Sequence, residues 1–184
     1  MLLNNRFLII LSLIIFFSCD SNKSEDGYKN GVVVSAKIEA SQAGISILKQ
    51  GGNAFDAMIA TDLALSVVYP NAGNLGGGGF MIYRLSDHST GSLDFREKSP
   101  SLSTKDMYLD EEGNEIKGLS INGSLAIGIP GTVAGLFEIY DKFGSLPLET
   151  LFSPAIELAE KGFILTKRQA NSLNFSKHQI NSLN

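Results

Sequence analysis

The sequence is poor in the residues that build disulfides, metal sites and nucleic-acid surfaces. Its 184 residues include one cysteine, Cys19, two histidines and no tryptophan. A single cysteine cannot form an internal disulfide, and one cysteine with two distant histidines does not match a zinc site, so we expect neither metal nor cofactor. The net charge is -4, and the basic residues form no cluster along a predicted face. This pattern argues against a nucleic-acid partner.

The sequence also lacks a hydrophobic run long enough to span a membrane. The longest, Phe7 to Phe17, is interrupted only by Ser12, whereas a spanning helix needs about 20 residues. Followed by Ser18 and Cys19, this run resembles a bacterial lipoprotein signal, although Phe16 stands where that motif prefers leucine. We predict a signal peptide over 1–18, lipid on Cys19, a polar tether over 19–30, and export to the periplasm or cell surface with membrane anchoring. The alternative is an ordinary secretory signal in which Cys19 is incidental.

The remaining chain has the composition of a globular protein, with 43% hydrophobic and 18% charged residues. Its length fits one domain or a piece of a larger one. The patterns of its first half predict a strand at 32–34, a helix from Glu39 that ends at Gly51-Gly52, a helix at 54–68 capped by Asn53 with Asp56 in its first turn, and two strands at 80–85 and 92–96. In the first helix, Ala40, Ala43, Gly44, Ile47 and Leu48 share one face.

The second half is less regular. It predicts an exposed excursion at 105–117, a strand at 125–129, a helix that Thr132 caps, and a helix that Ser153-Pro154 opens and Gly162 ends. In the Thr132 helix, the apolar face consists of Val133, Leu136, Phe137 and Tyr140. No element is predicted after Thr166, so the domain that the alternating elements begin is expected to be incomplete.

Four consecutive glycines, 76–79, are the densest local signal. Consecutive backbone amides can hold an anion, as they do in phosphate loops. No Gly-Lys-Ser/Thr follows, and a strand comes next where a phosphate loop needs a helix. The other interpretation is that glycine lets two elements pack closely. Both interpretations remain open at this point, and an ATP- or phosphate-binding module is the weaker one.

Arg96 is the candidate binding residue. On a strand, Asp94 and Arg96 share one face and Phe95 lies on the other, so Arg96 can face a cleft while Phe95 packs in a core. A guanidinium offers a rigid fork of donors that matches a carboxylate. The alternative is a surface ion pair between Arg96 and Asp94 or Glu97. Neither His88 nor His178 has a nucleophile around it, and Met81 and Tyr83 are expected to pack in the core.

The order of the motifs then resembles the start of the γ-glutamyltranspeptidases. Between about Gly31 and Thr166 it carries, in sequence, ASQAG at 40–44, GGNAFDA at 51–57, GGGGF at 76–80, DFRE at 94–97 with Ser99-Pro100, IPG at 129–131, PAIELA at 154–159 and Gly162-Phe163. The resemblance implies an α+β fold, the αββα sandwich of the N-terminal-nucleophile hydrolases. It places residues 31–184 in the N-terminal part of the large subunit, so that this fold is incomplete here.

The resemblance also implies the chemistry. In that family an inactive precursor cuts itself, and the new N-terminal threonine of the small subunit attacks the γ-glutamyl amide, with its own α-amino group moving the proton. Water or an acceptor amine then releases the glutamyl group of glutathione or a related compound. Arg96 would bind the α-carboxylate of the substrate, with Asp94 and Glu97 as possible supporting residues.

The nucleophile belongs to a Thr-Thr-His-type stretch that would lie beyond residue 184, so we expect no catalytic residue here. The expected partners are a γ-glutamyl compound, the self-derived small subunit and a membrane that holds the lipid. Residues 1–184 alone are expected neither to fold stably nor to turn over substrate. Two alternatives stay open: an acylase of the same fold with a substrate such as a glutaryl amide, and a non-catalytic, degenerate surface lipoprotein.

Overall fold

The computed structural model describes residues 30–73 and 75–181. The chain divides into two units, Met1–Val32 and Val33–Asn184. The predicted signal peptide at 1–18, lipidation of Cys19 and tether at 19–30 lie outside the described residues, apart from Asn30. In the described part, no helix has both the length and the apolar character needed to cross a membrane.

The described part of the second unit contains five α-helices and one antiparallel hairpin. Its elements are α1 (Ile38–Lys49), α2 (Ala54–Val68), β1 (Phe80–Arg84), β2 (Thr90–Asp94), α3 (Thr132–Phe143), α4 (Leu148–Lys161) and α5 (Lys167–Asn181). A single 3-10 turn, Ser124–Ala126, interrupts the long connection between β2 and α3. Helices together with an antiparallel sheet confirm the predicted α+β class.

Helix α1 packs closely on α2 through a face of small residues. Ala40, Ala43, Gly44 and Ile47 are buried, as the spacing predicts. A methyl group at Gly44 would lie 2.3 Å from Thr61 Oγ1, so only glycine allows this approach. After α1 ends, Gly51 adopts a φ of +92°, a conformation in which a side chain would be strained.

Helix α2 begins and ends where the sequence predicts. The side chain of Asn53 accepts hydrogen bonds from the backbone N–H groups of Phe55, at 2.8 Å, and Asp56, at 3.0 Å. In return, Asp56 Oδ2 accepts one from Asn53 N at 2.9 Å. This reciprocal pair is a capping box, and it satisfies donors that the first turn of a helix leaves free.

The core lies between α1, α2, α3 and α4. Its largest fully buried apolar side chains are Ile47, Ile59, Ile139, Leu151 and Val68. Strand β1 adds Met81 and Tyr83, which pack against the core as predicted. The Tyr83 ring lies 5.0 Å from Phe143 and 5.7 Å from Phe55, centroid to centroid.

The hairpin is close to the prediction, but β2 starts and ends two residues early. Phe80 pairs with Asp94 and Arg84 with Thr90, so Thr90 and Gly91 belong to the strand and the turn shrinks to 85–89. Asp87 Oδ1 accepts the Ser89 N–H at 2.9 Å, and Leu85 N donates to Ser89 O at 2.8 Å, which closes the turn early. His88 lies in this turn, as predicted.

Two predicted strands are wrong. Residues 32–34 have no partner strand in the described part of the chain, and Val34 is 86% exposed. Residues 125–129 include the end of the 3-10 turn, and only Ile129 pairs, in an isolated antiparallel bridge with Lys98. In both places the short apolar run lacks the neighbouring strand that would convert it into a sheet. The excursion at 105–117 is mostly exposed, as predicted.

The starts of α3 and α4 also differ from the prediction. Gly131 occupies the N-cap of α3 and Thr132 is its first, buried, residue. The buried face of α3 consists of Thr132, Gly135, Leu136 and Ile139, whereas Val133 and Phe137 are exposed. Helix α4 begins at Leu148, so Pro154 lies inside it. Burial of Leu151 and Ala155 on the core side holds this helix together across the proline.

Helix α5 was not predicted, although a sequence signal for it exists. Thr166 Oγ1 accepts the Gln169 N–H at 3.3 Å, and Gln169 Oε1 accepts the Thr166 N–H at 3.1 Å. This T-x-x-Q capping box starts the helix. Gln169 Nε2 also donates to Val68 O at 3.0 Å, which ties α5 to the end of α2.

Candidate functional site

Arg96 follows β2, two residues beyond its end. The pairing continues one residue further, because Phe95 N donates to Gly79 O at 3.0 Å and Gly79 N donates to Phe95 O at 3.4 Å. Asp94 Oδ1 then accepts the Arg96 N–H at 3.0 Å. The backbone of Arg96 is therefore fixed by its neighbours on the hairpin.

The side chain of Arg96 is largely free for a ligand. It is 63% exposed, and its guanidinium carbon lies 5.6 Å from the centroid of the Phe80 ring. Its Nε is 3.8 Å from Glu97 Oε2, which is too long for a hydrogen bond. An ion pair of this exposure contributes little to stability. The two predicted supporting residues lie at different parts of Arg96. Asp94 binds its backbone N–H, whereas Glu97 lies beside its side chain.

A cleft of about 360 Å³ borders Arg96. Its walls come from the end of β2, the segment before α3 and the first two turns of α3, and they include Asp94, Arg96, Lys98, Pro130, Gly135 and Glu138. Two basic and two acidic side chains therefore face one opening. Glu138 Oε1 also accepts a hydrogen bond from the Lys142 ammonium at 2.6 Å, so part of the Glu138 charge is already neutralised.

The glycine run brings the hairpin and α3 together. Gly77 O accepts hydrogen bonds from Gly131 N at 2.8 Å and from Thr132 N at 3.0 Å. A methyl group at Gly78 would lie 2.6 Å from Phe95 O. The glycine run therefore lets the hairpin and α3 pack closely, as one of its two interpretations predicts. It also lies beside Arg96, next to the candidate site.

Other predicted residues lie away from this cleft. His88 is in the exposed hairpin turn, where its Nδ1 is 2.6 Å from Arg84 Nη2. His178 lies on α5. Within the described residues, no group of three histidine, cysteine, aspartate or glutamate side chains is arranged to hold a metal ion.

The sequence predicts Asp56 in the first turn of α2, but it does not predict the hydrogen bonds of Asp56 to Ser145. The fully buried carboxylate also accepts the Ser145 N–H at 3.0 Å and the Ser145 hydroxyl, so it fastens α2 to the connection between α3 and α4. Burial raises the pKa of Asp56, but hydrogen bonds from Ser145 and from the backbone of Asn53 and Leu146 outweigh it and hold the pKa below its usual value. A contact between residues so distant in sequence has no local signal.

The glycine inside α3, Gly135, is a signal that sequence reasoning could have used. Glycine is a poor helix former, so its presence in mid-helix suggests a close contact. Gly135 lies directly against the ring of Phe95, the residue before Arg96.

Comparison with solved structures places this architecture among the N-terminal-nucleophile hydrolases. The γ-glutamyltranspeptidase of Helicobacter pylori superposes with a TM-score of 0.78 at 46% identity, over 82% of this chain and 43% of that one. Residues 40–184 match the Gamma-glutamyltranspeptidase family. The chain belongs to the γ-glutamyltranspeptidase family.

Relatives agree with this assignment. A glutathione hydrolase proenzyme of Pseudomonas sp. (strain A14) is 47% identical over 177 residues, which cover 94% of this chain and 31% of the relative. The glutathione hydrolase proenzyme of Escherichia coli (strain K12) is 48% identical over 145 residues, covering 79% of this chain and 25% of the relative. The chain thus spans less than a third of the length of these two relatives.

Proposed function

We propose that the complete protein carrying this chain hydrolyses glutathione and related γ-glutamyl compounds, or transfers their γ-glutamyl group to an acceptor amine. Family membership and the names of the relatives support this activity. The observation in this chain that carries the proposal is the side chain of Arg96, 63% exposed beside a cleft while its backbone is held on the hairpin. A guanidinium fixed at its base and free at its tip suits recognition of a carboxylate.

In this proposal Arg96 binds the α-carboxylate of the γ-glutamyl group. Glu97, whose carboxylate lies 3.8 Å from Arg96 Nε, would face the positively charged α-ammonium of the same substrate. Asp94 supports Arg96 from behind by accepting its backbone N–H. The α-carboxylate and the α-ammonium of the substrate would therefore each contact one residue of opposite charge.

The bond-breaking step belongs to a threonine outside this chain, at the start of a small subunit that the precursor makes by cutting itself. Its hydroxyl oxygen forms an ester with the γ-carbonyl carbon, and the amine leaves with the hydroxyl proton, which the threonine α-amino group relays. Water then cleaves the ester to give glutamate, or an acceptor amine takes the glutamyl group. The word proenzyme in the names of both relatives supports processing of a precursor.

We also propose that the protein is exported and held on a membrane through lipid on Cys19. The apolar run at 7–17, followed by Ser18 and Cys19, supports this location. Labelled palmitate should enter the wild-type protein and not Cys19→Ser. Equal labelling of both, or of neither, would contradict the anchor.

The test of the activity is Arg96→Gln in the complete protein, assayed on two anilides. One carries a γ-glutamyl group, and the other a 4-aminobutyryl group, which lacks the α-carboxylate. Loss of a charge-assisted hydrogen bond should lower kcat/KM for the first by about 10- to 100-fold. The same change should leave kcat/KM for the second nearly unaltered, because that substrate has no carboxylate to lose contact with.

Arg84→Gln is the matched control, because Arg84 is an exposed arginine of the same hairpin at the end remote from Arg96. It should leave both activities unchanged. If Arg96→Gln lowers the two activities equally, Arg96 does not bind the α-carboxylate of the substrate. Preferential cleavage of a glutaryl anilide would favour an acylase, and no turnover of any of these amides would favour the degenerate lipoprotein.

A further inference from the structure

Phe95, the residue before Arg96, is enclosed by glycines from two distant segments. A methyl group at Gly135, on α3, would lie 2.4 Å from Phe95 Cγ. One at Gly79, before β1, would lie 2.8 Å from Phe95 Cε2. Carbon atoms in van der Waals contact stay about 3.5–4.0 Å apart, so neither position has room for a side chain.

The backbone of the same residue is enclosed as well. A methyl group at Gly131 would lie 1.9 Å from Phe95 O, and one at Gly78 would lie 2.6 Å from the same atom. Together with its two hydrogen bonds to Gly79, these contacts restrict the movement of Phe95. We call Gly78, Gly79, Gly131 and Gly135 the glycine frame.

We propose that Phe95, held in the glycine frame, is a positioning residue that sets where the Arg96 guanidinium stands in the cleft. The proposal rests on the proposed function, in which Arg96 binds the substrate carboxylate. Adjacent residues of an extended chain point to opposite sides, so a shift of the partly buried Phe95 ring, carried through the backbone, displaces the base of the exposed Arg96 side chain. A displacement of this kind at a binding group is costly even when no contact to the substrate is deleted.

Gly135 offers the most direct test, because a methyl group there would meet the Phe95 side chain first. The three atoms nearest to such a methyl group are Phe95 Cγ, Cβ and Cδ2. At Gly78 and Gly131 the nearest atoms belong to the backbone, which cannot yield without disrupting the hairpin. Alanine is also a better helix former than glycine, so Gly135→Ala should not weaken α3 by itself.

In the complete protein, Gly135→Ala should raise KM for the γ-glutamyl anilide by about tenfold or more, with kcat within about twofold of wild type. Gly44→Ala is the matched control. It is equally crowded, because its methyl group would lie 2.3 Å from Thr61 Oγ1, but it lies between α1 and α2. The control should lower Tm and leave KM unchanged. A Gly135→Ala protein that loses Tm like the control while keeping its KM would overturn the proposal.

Phe95→Leu is the second variant, and it decides the question if Gly135→Ala does not yield folded protein. It introduces no clash but loosens the fit against Gly79 and Gly135, so KM should rise by about threefold or more. An unchanged KM in this variant counts against positioning. The variants should also be coupled, because Gly135→Ala acts through the ring and should raise KM by a smaller factor in a Phe95→Ala background.

Arg96→Gln separates this inference from the function on which it rests. If Arg96→Gln leaves the γ-glutamyl KM unaltered, the proposed role of Arg96 fails first. If Arg96→Gln raises that KM while Gly135→Ala and Phe95→Leu do not, Arg96 binds the substrate but Phe95 does not position it.

Discussion

The helical region and the site region of this chain bury their apolar residues to very different degrees. In the helical region, formed by α1, α2 and α4, the apolar residues Ala40, Ile47, Ile59 and Leu151 are almost completely buried. In the site region, formed by the hairpin and residues 95–131, Ile82 is 85% exposed and Leu102 is 91% exposed. One region packs against itself, whereas the other holds Arg96 and leaves apolar side chains uncovered.

This difference separates the region whose apolar residues the chain itself covers from the region that it presents to other parts of the protein. Burying a large apolar side chain contributes about 1.5–3 kcal/mol. Phe80 and Ile82, on the outer face of β1, are exposed within the described part of the chain and therefore do not contribute this stabilisation. The chain spans 31% of the length of the Pseudomonas relative. We infer that the site region takes its final surroundings from the rest of the protein.

The greatest loss should come from separating this chain from those surroundings. Residues 1–184 produced alone should show no cooperative thermal unfolding and no hydrolysis of a γ-glutamyl anilide. No hydrolysis is expected because the nucleophile is assigned to another part of the protein. No cooperative unfolding is expected because the apolar face of the hairpin stays in water. Calorimetry and an anilide assay measure them, with the complete protein as the reference.

A cooperative transition in the isolated chain would mean that its own helical core is sufficient for cooperative folding without the rest of the protein. Hydrolysis by the isolated chain would overturn the assignment of the nucleophile to another part of the protein.

The second prediction concerns the buried carboxylate that joins elements of the helical region. In the complete protein, Asp56→Ala should lower the free energy of unfolding by about 1.5–3 kcal/mol, because it removes the hydrogen bonds of a charged, fully buried carboxylate. The donors are the N–H of Asn53 and the N–H and hydroxyl of Ser145. Denaturant unfolding monitored by circular dichroism gives the value.

Asp87→Ala is the control from the site region. Asp87 also accepts two hydrogen bonds, both from Ser89, but it lies in the exposed hairpin turn, where water can replace them. Its change in stability should be small. If both variants lose equal stability, burial is not what distinguishes the two carboxylates.

The helical region is also where the sequence was most informative. The bounds of α2 and its cap at Asn53 follow from a local code: a capping residue, an acid three positions later and an apolar run that Pro70 closes. The site region depends on contacts between distant segments. The run at 125–129 has a strand-like composition, but its conformation depends on a partner strand that only Ile129 finds, at Lys98.

The same contrast holds within the candidate site. Arg96 and the glycine run were identified as signals from their residue types alone. That Gly135 and Gly131 enclose Phe95 depends on the packing of α3 against the hairpin, which no local pattern encodes. The proposed role of a side chain can be assigned from its chemistry and a family motif, whereas the residues that hold it in place emerge only from the fold.

A weaker change is expected for two carboxylates of α2 whose pKa values shift in opposite directions. Burial raises the pKa of Asp62, and no hydrogen bond is among the causes of its shift, whereas the pKa of Asp56 is lowered. A raised folded-state pKa means that ionised Asp62 opposes folding at neutral pH and that this cost disappears as the pH falls through the carboxyl range. Asp62→Asn should therefore raise Tm at pH 7 by about 1–2 °C.

The gain should shrink toward pH 4, because the wild-type carboxyl becomes protonated and then resembles the amide. Asp56 has the opposite sign: its contribution is present above the unfolded-state pKa of about 3.9 and is lost as the pH falls through its lower folded-state pKa. Asp56→Asn should accordingly lower Tm at pH 7 and flatten the acid limb of the stability curve. Thermal melts of both variants between pH 3 and pH 8 measure the two signs, and a gain for Asp62→Asn that does not depend on pH would show that burial of its charge is not the cause.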